Sequence, residues 1–301
     1  MDNAILLKFF ALTIFSLMFA IGINSSLEQL TSLWRKPELL LRSLLAAIVL
    51  VPLAAFILLW LLDLPPGVAA GLSILAASPG APVTTKRSQM AGGDPTYVAS
   101  LQLTLAMLAV LVTPLTLAVF YALFDLPLGR VSLFQVLLQV GEVTFLPVIA
   151  GLLIQRFVPR IAASIARPVQ VIANALFLLL LVLVVVILVI TPDLRRALNL
   201  GGLSVSAILI MAAAALAIGH FLGGPTRQQR AALAIACIAR NVGLALFIAA
   251  LFDYGQMFVP TMLAYVLFGF ILAFPYSLWS KRRISKETVD RKVVSLKKTV
   301  S

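Results

Sequence analysis

Ten consecutive residues, Ser78-Pro79-Gly80-Ala81-Pro82-Val83-Thr84-Thr85-Lys86-Arg87, carry two prolines, a glycine, two threonine hydroxyls and two fixed cations. They begin where the apolar run 68–77 would reach about mid-bilayer depth. Proline removes a backbone donor and glycine gives no helical support, so the helix is expected to unwind at Pro79-Gly80. Open backbone at that depth is tolerated only inside protein or beside a wet cavity. A packing kink is the plainer alternative; the Thr-Thr-Lys-Arg that follows points instead to a functional break. A second polar pair, Arg240-Asn241, interrupts the apolar run 231–250 and is followed by Gly243. A charge so central faces the bundle interior or a water-filled cavity. The chemistry both breaks offer is anion binding. Arg240, with Lys86 or Arg87, supplies charge, and the N-termini of interrupted helices add oriented N–H groups. The alternative for Lys86 and Arg87 is snorkelling to the interface. For Asn241 and Gln102 it is hydrogen bonding between helices. Glu142 is the one carboxylate clearly inside a span; it would pair with Arg240, relay a proton or form a structural ion pair.

These residues need membrane helices to position them, and composition supplies that setting. Of 301 residues 62% are hydrophobic and 11% charged, with a mean hydropathy of +1.10, well outside the range of soluble domains. The net charge of +12 would suggest nucleic acid in a soluble protein. Here the cations concentrate in links and in the tail, where they set topology, so no nucleic-acid partner is expected. One cysteine, Cys237, excludes an intramolecular disulfide and a cysteine metal cluster. His220 lies near a span end. No His-Glu-x-x-His, nucleophile elbow or paired intramembrane aspartates occur, so an enzyme is not expected.

Nine spans of about 20 residues follow from the apolar runs: 4–23, 39–62, 67–92, 96–124, 131–155, 168–191, 203–222, 229–252 and 257–279, with a polar tail over 281–301. The first is too long for a signal core, has only Lys8 as a basic lead and reads as a retained helix. Counting alternate links, one side gathers fifteen basic residues. They are Arg35 and Lys36; Arg156, Arg160 and Arg167; Arg227 and Arg230; and eight in the tail, from Lys281 to Lys298. The other side holds three, Arg130, Arg195 and Arg196. The positive-inside rule then makes the C-terminus cytoplasmic and the N-terminus external. Pro114 lies 34 residues after Gly80, and Pro275 lies 34 after Asn241. With opposite directions of entry for the two broken spans, this suggests inverted repeats, 1–125 and 131–280, each with a broken helix (67–92 and 229–252), followed by the tail. The fold class expected is an all-α polytopic membrane protein with two crossing broken helices.

The chain resembles the bile acid:sodium symporter family. The residues that carry the resemblance are Pro79-Gly80 with Thr84-Thr85, Gly93-Asp94, Arg240-Asn241-Val242-Gly243-Leu244-Ala245, and Pro52, Pro114 and Pro147. The resemblance implies a core domain and a panel domain, with the third and eighth spans as the crossing pair and the family's first helix absent. It also implies sodium sites, and there the sequence departs. Thr84 and Thr85 stand for a Ser-Asn pair, Ala236 for a bridging glutamate and Arg240 for a glutamine. Ala47 replaces another glutamine, and two hydroxyl positions read Val98 and Gln102. A family-type sodium site degraded at Thr84, Thr85, Ala236 and Arg240 leaves coupling to protons or no coupling, with built-in cations taking over part of sodium's electrostatic role.

The expected function is a secondary active transporter of small organic anions working by alternating access. Its substrate-binding set is Arg240, Asn241, Pro79, Gly80, Thr84, Thr85, Lys86 and Gln102. A sodium-coupled anion symporter and a non-transporting sensor of the same fold are the alternatives. No cofactor is expected. The partners are the bilayer and the substrate, and a homo-oligomer is compatible with the pattern. The location expected is the plasma (inner) membrane.

Overall fold

The computed structural model describes residues 3–124, 126, 132–192, 200–252 and 254–300. Arg130, Arg195 and Arg196 lie outside the described residues, as does most of the 125–131 boundary between the expected repeats. So do the side chains of Arg291, Lys292, Lys297 and Lys298. All regular structure among the described residues is helical. Among the described residues, eight helical stretches are long and apolar enough to cross a membrane. The chain is therefore an all-helical, multi-pass membrane protein.

The first helix, α1 (Asn3–Ile23), packs along two later ones. A short α2 (Leu27–Trp34) occupies what reads in the sequence as a polar link. Ser26 and Gln29 form a reciprocal capping box at its start, and its end is tied to the bundle by Trp34 Nε1 donating to Thr104 Oγ1 at 3.1 Å. The helix α3 (Pro37–Leu61) widens to a π register over Leu45–Leu50, where the Val51 N–H reaches back to Ala46 O. In that register Ala47 O would be served by residue 52, which is proline and has no N–H, so this carbonyl is left for another donor. Two half-length helices follow, α4 (Pro66–Ala76) and α5 (Thr84–Met90), separated by an unwound stretch. Gly67 sits against Met257 at one end of the bundle and Gly92 against Lys281 and Ile284 at the other, so the pair runs from end to end.

After the Gly92-Gly93 turn, Asp94 caps α6 (Pro95–Phe124), accepting from the N–H groups of Thr96 and Tyr97. Next, α7 runs as Leu133–Val140, a π-register segment Gly141–Phe145 before Pro147, and Leu146–Phe157. The helix α8 (Pro159–Ile190) is 32 residues long and starts nine residues before the expected span. Arg160 and Arg167 therefore ride on helix rather than on a link. Proline at the first helical position and the Ala-rich turns after it account for the early start. The rest comprises α9 (Gly201–Leu222), α10 (Arg227–Ile238), α11 (Val242–Ala250), a single 3₁₀ turn and α12 (Val259–Val300). This last helix does not stop at 279 but continues through the basic tail. Residues 276–300 contain no glycine or proline to end it, and Arg227 on α10 holds Glu287 on it at 3.0 Å.

Burial sorts the helices. The most apolar 18-residue window of Arg227–Ala250 is entirely buried, whereas only 22% of the corresponding window of α8 is. The interrupted pair α10–α11 is thus the centre of the bundle and α8 faces outward. Close backbone contacts rest on glycine. A Cβ on Gly22 of α1 would lie 2.3 Å from Val148 O of α7, and one on Gly219 of α9 would lie 2.5 Å from Leu233 O of α10. Between membrane helices such small-residue contacts give the dispersion packing that hydrophobic exclusion cannot supply. The basic links meet at one end: Asn24 reaches Ala166 O, Asp94 N–H reaches Gln228 O, Gly224 lies against Leu39, and Arg227 pairs with Glu287.

Candidate functional site

The two breaks cross and are bonded backbone to backbone. Gly80, at φ +80°, lets the chain turn after Pro79, and a Cβ there would lie 3.1 Å from Leu105 Cβ of α6. In the second break, Ala239 and Asn241 take two tight three-residue turns, with Arg240 N–H donating to Ile238 O and Val242 N–H to Arg240 O. The Asn241 N–H then donates to Ser78 O at 2.9 Å, and its side-chain oxygen caps α11 by accepting from Leu244 N–H at 3.1 Å. Asn241 therefore both joins the breaks and starts the next half-helix.

Arg240 is 3% exposed and each nitrogen of its guanidinium donates to a backbone carbonyl. Nε donates to Leu75 O at 3.0 Å, Nη2 to Ala76 O, and Nη1 to Ala47 O at 3.0 Å. The first two acceptors are the C-terminal carbonyls of α4, where a helix end concentrates negative potential. The third is the carbonyl that Pro52 leaves without its own donor. No salt bridge to Arg240 occurs among the described residues. Glu142 is exposed on the π segment of α7, so the Glu142–Arg240 ion pair expected as one option does not form. Tyr265 of α12 completes the arrangement by donating to Ile238 O, the last carbonyl of α10, at 3.1 Å.

Gln102 bridges the first break. Its amide donates to Pro82 O at 3.0 Å and its oxygen accepts from Thr85 Oγ1 at 2.5 Å, so α6 holds both the loop and the start of α5. Thr84 Oγ1 donates to Ala81 O at 2.7 Å. Both threonine hydroxyls thus serve the loop. Ala236 is buried on α10 and offers only a methyl group.

A cavity of about 100 Å³ opens beside the crossing. Its walls are Ala81, Pro82 and Val83 of the first break, 238–243 of the second, Tyr265, Val266 and Gly269 of α12, and the apolar side chains of Leu17 (α1), Phe177 and Leu181 (α8). Arg87 lines it and lies with its guanidinium carbon 5.7 Å from the centre of the Phe270 ring. Lys86 is exposed and is not part of the lining. Of the two adjacent cations, the structure thus brings Arg87 to the crossing, one helical step from the residue in the expected binding set. The side of a seven-residue helix that meets a cavity is set by packing, and the sequence offers no apolar period over Thr84–Met90 to show it. Ala47, Pro52 and Tyr265 also belong to the site; the resemblance singled out Ala47 and Pro52 without showing that they meet Arg240, and nothing in the sequence singled out Tyr265.

A family model described as "Sodium Bile acid symporter family" matches residues 11–191. The chain is 30% identical over 141 residues to the "Uncharacterized sodium-dependent transporter YocS" of Bacillus subtilis (strain 168), covering 47% of this chain and 43% of that one. It is 26% identical over 180 residues to the "Probable sodium/metabolite cotransporter BASS5, chloroplastic" of Oryza sativa subsp. indica, covering 56% and 43%. A 28% identity over 165 residues links it to the "P3 protein" of Homo sapiens, covering 52% and 33%. The chain thus spans less than half the length of these relatives.

Proposed function

Because the chain belongs to the sodium bile acid symporter family, we propose that it is a secondary active transporter, and that its cargo is a small organic anion carried by alternating access. The observation that carries this reading is the position of Arg87, a cation on an otherwise largely apolar cavity at the crossing of two broken helices. The cavity is lined on one side by α1 and α8, which pack together, and on the other by the breaks and α12. Rocking of these two groups against each other would open the cavity to each side in turn, the arrangement known for carriers built around discontinuous helices. An anion's acidic group would meet Arg87 and its body would lie against Phe177, Leu181 and Val266. Asn241, Pro79, Gly80, Thr84, Thr85 and Gln102 shape the crossing, while Arg240 sets its potential. Lys86, being exposed, would act at the mouth rather than in the cavity.

No family-type sodium site is part of this reading, because Ala236 has no side-chain oxygen to offer and Arg240 puts a fixed charge at the crossing. The printed names of the relatives favour a second reading, sodium-coupled symport. Uptake of labelled pyruvate, pantoate and taurocholate into proteoliposomes, with sodium or choline outside, separates the two. Saturable uptake of at least one anion in choline supports the first. Uptake only under an inward sodium gradient supports the second. Orientation follows the basic links: C-terminus in the cytoplasm, N-terminus outside, in the plasma (inner) membrane.

A further inference from the structure

We infer that Arg240 is the tethered occupant of a monovalent-cation site, and that shortening its side chain converts the chain from indifferent to responsive toward small soluble cations. The inference deepens the reading of a carrier that needs no sodium, and rests on it. Three carbonyl oxygens, Leu75 O, Ala76 O and Ala47 O, converge on one guanidinium from two different helices. Carbonyl oxygens in convergence are the ligand type of hard monovalent cations in membrane proteins. No carboxylate joins them among the described residues, so the local field balances one positive charge and not two. That field has identifiable sources: the C-terminal end of α4 and the Ala47 carbonyl left over by Pro52. Arg240 is also among the residues that line the cavity at the crossing.

The chain's own charge therefore does what a dissociable ion would do: it holds α3 and α4 to the second break. A bound soluble ion would do so only when loaded; Arg240 does so at all times. Removing the guanidinium while leaving the carbonyls creates a vacancy of matching charge and ligand type.

The test uses thermal unfolding of the purified full chain in detergent, at matched ionic strength, in choline, sodium or low-millimolar guanidinium chloride. For wild type the midpoint is expected to be the same in all three. For Arg240→Ala it is expected to fall in choline and to rise saturably with sodium or guanidinium, by about 5 °C at a hundredfold excess over the dissociation constant. A folded Arg240→Ala variant that responds to neither cation overturns the inference, as does a wild-type chain that responds as strongly as the variant. If Arg240→Ala does not fold, Arg240→Gln and Arg240→Lys replace it. The glutamine variant is expected to respond and the lysine variant, which keeps a tethered charge, is not; an unresponsive glutamine variant refutes the proposal. The readout is stability rather than uptake, so failure here is distinguishable from failure of the anion-carrier reading.

Discussion

Arg240 carries a full charge in the bundle interior, with carbonyl dipoles rather than a carboxylate to balance it. Truncating a buried cation that donates to three backbone carbonyls is expected to destabilise the fold by about 3–5 kcal/mol. Chemical unfolding of Arg240→Ala in choline buffer measures this. Gly80 acts by backbone conformation instead. Its positive φ and the nearness of Leu105 predict that Gly80→Ala costs about 1–2 kcal/mol, read as a lowered unfolding midpoint. At this scale the sequence showed a great deal: the anomalies at Pro79-Gly80 and Arg240-Asn241 are visible because apolar spans leave nothing else to explain them. What it hid was orientation. Arg240 reaches a carbonyl 193 positions earlier in the chain, and backbone acceptors have no signature in side-chain identity. For the same reason the choice between Lys86 and Arg87 depended on which face of α5 packs inward.

Among the helices, apolar runs located the spans well, but their ends followed helix chemistry rather than hydropathy. At 1.5 Å per residue α8 is about 48 Å long and α12 about 63 Å, both beyond a hydrocarbon core of about 30 Å. A span count made from hydropathy stops where lipid stops; a helix stops only where a cap, glycine or proline ends it. The short α2 shows the converse. Its amphipathic residues are too few to span, but Ser26 and Gln29 give it a start, and that capping box could have been read from the sequence. Ser26→Ala should lower stability by about 1 kcal/mol, with the unfolding midpoint as the check. The π segments of α3 and α7 each lie just before a proline, Pro52 and Pro147. Proline within a span was legible; that its missing N–H would give Arg240 an acceptor required knowing the crossing.

Across the whole molecule, the gathering of segments 24–37, 92–95, 156–167 and 223–227 with the start of the tail at one end gives the charge asymmetry a spatial meaning. If that end is cytoplasmic, Ser285→Cys, at an exposed position, should react with a membrane-impermeant thiol reagent in inverted vesicles and not in intact cells. The buried Cys237 should stay silent in both. Labelling in intact cells would reverse the orientation.

The central claim is that an anion is carried past the crossing on Arg87 without sodium. The measurement that tests it most directly is initial-rate uptake of labelled pyruvate, pantoate and taurocholate into proteoliposomes in choline medium, for wild type, Arg87→Lys and Arg87→Ala. The account predicts saturable wild-type uptake of at least one of these anions, reduced uptake with lysine, and a loss of tenfold or more with alanine, a group-specific loss of about 1.4 kcal/mol or greater, while the unfolding midpoints stay close together. Wild-type rates in the alanine variant, or wild-type uptake that vanishes without sodium, would contradict it.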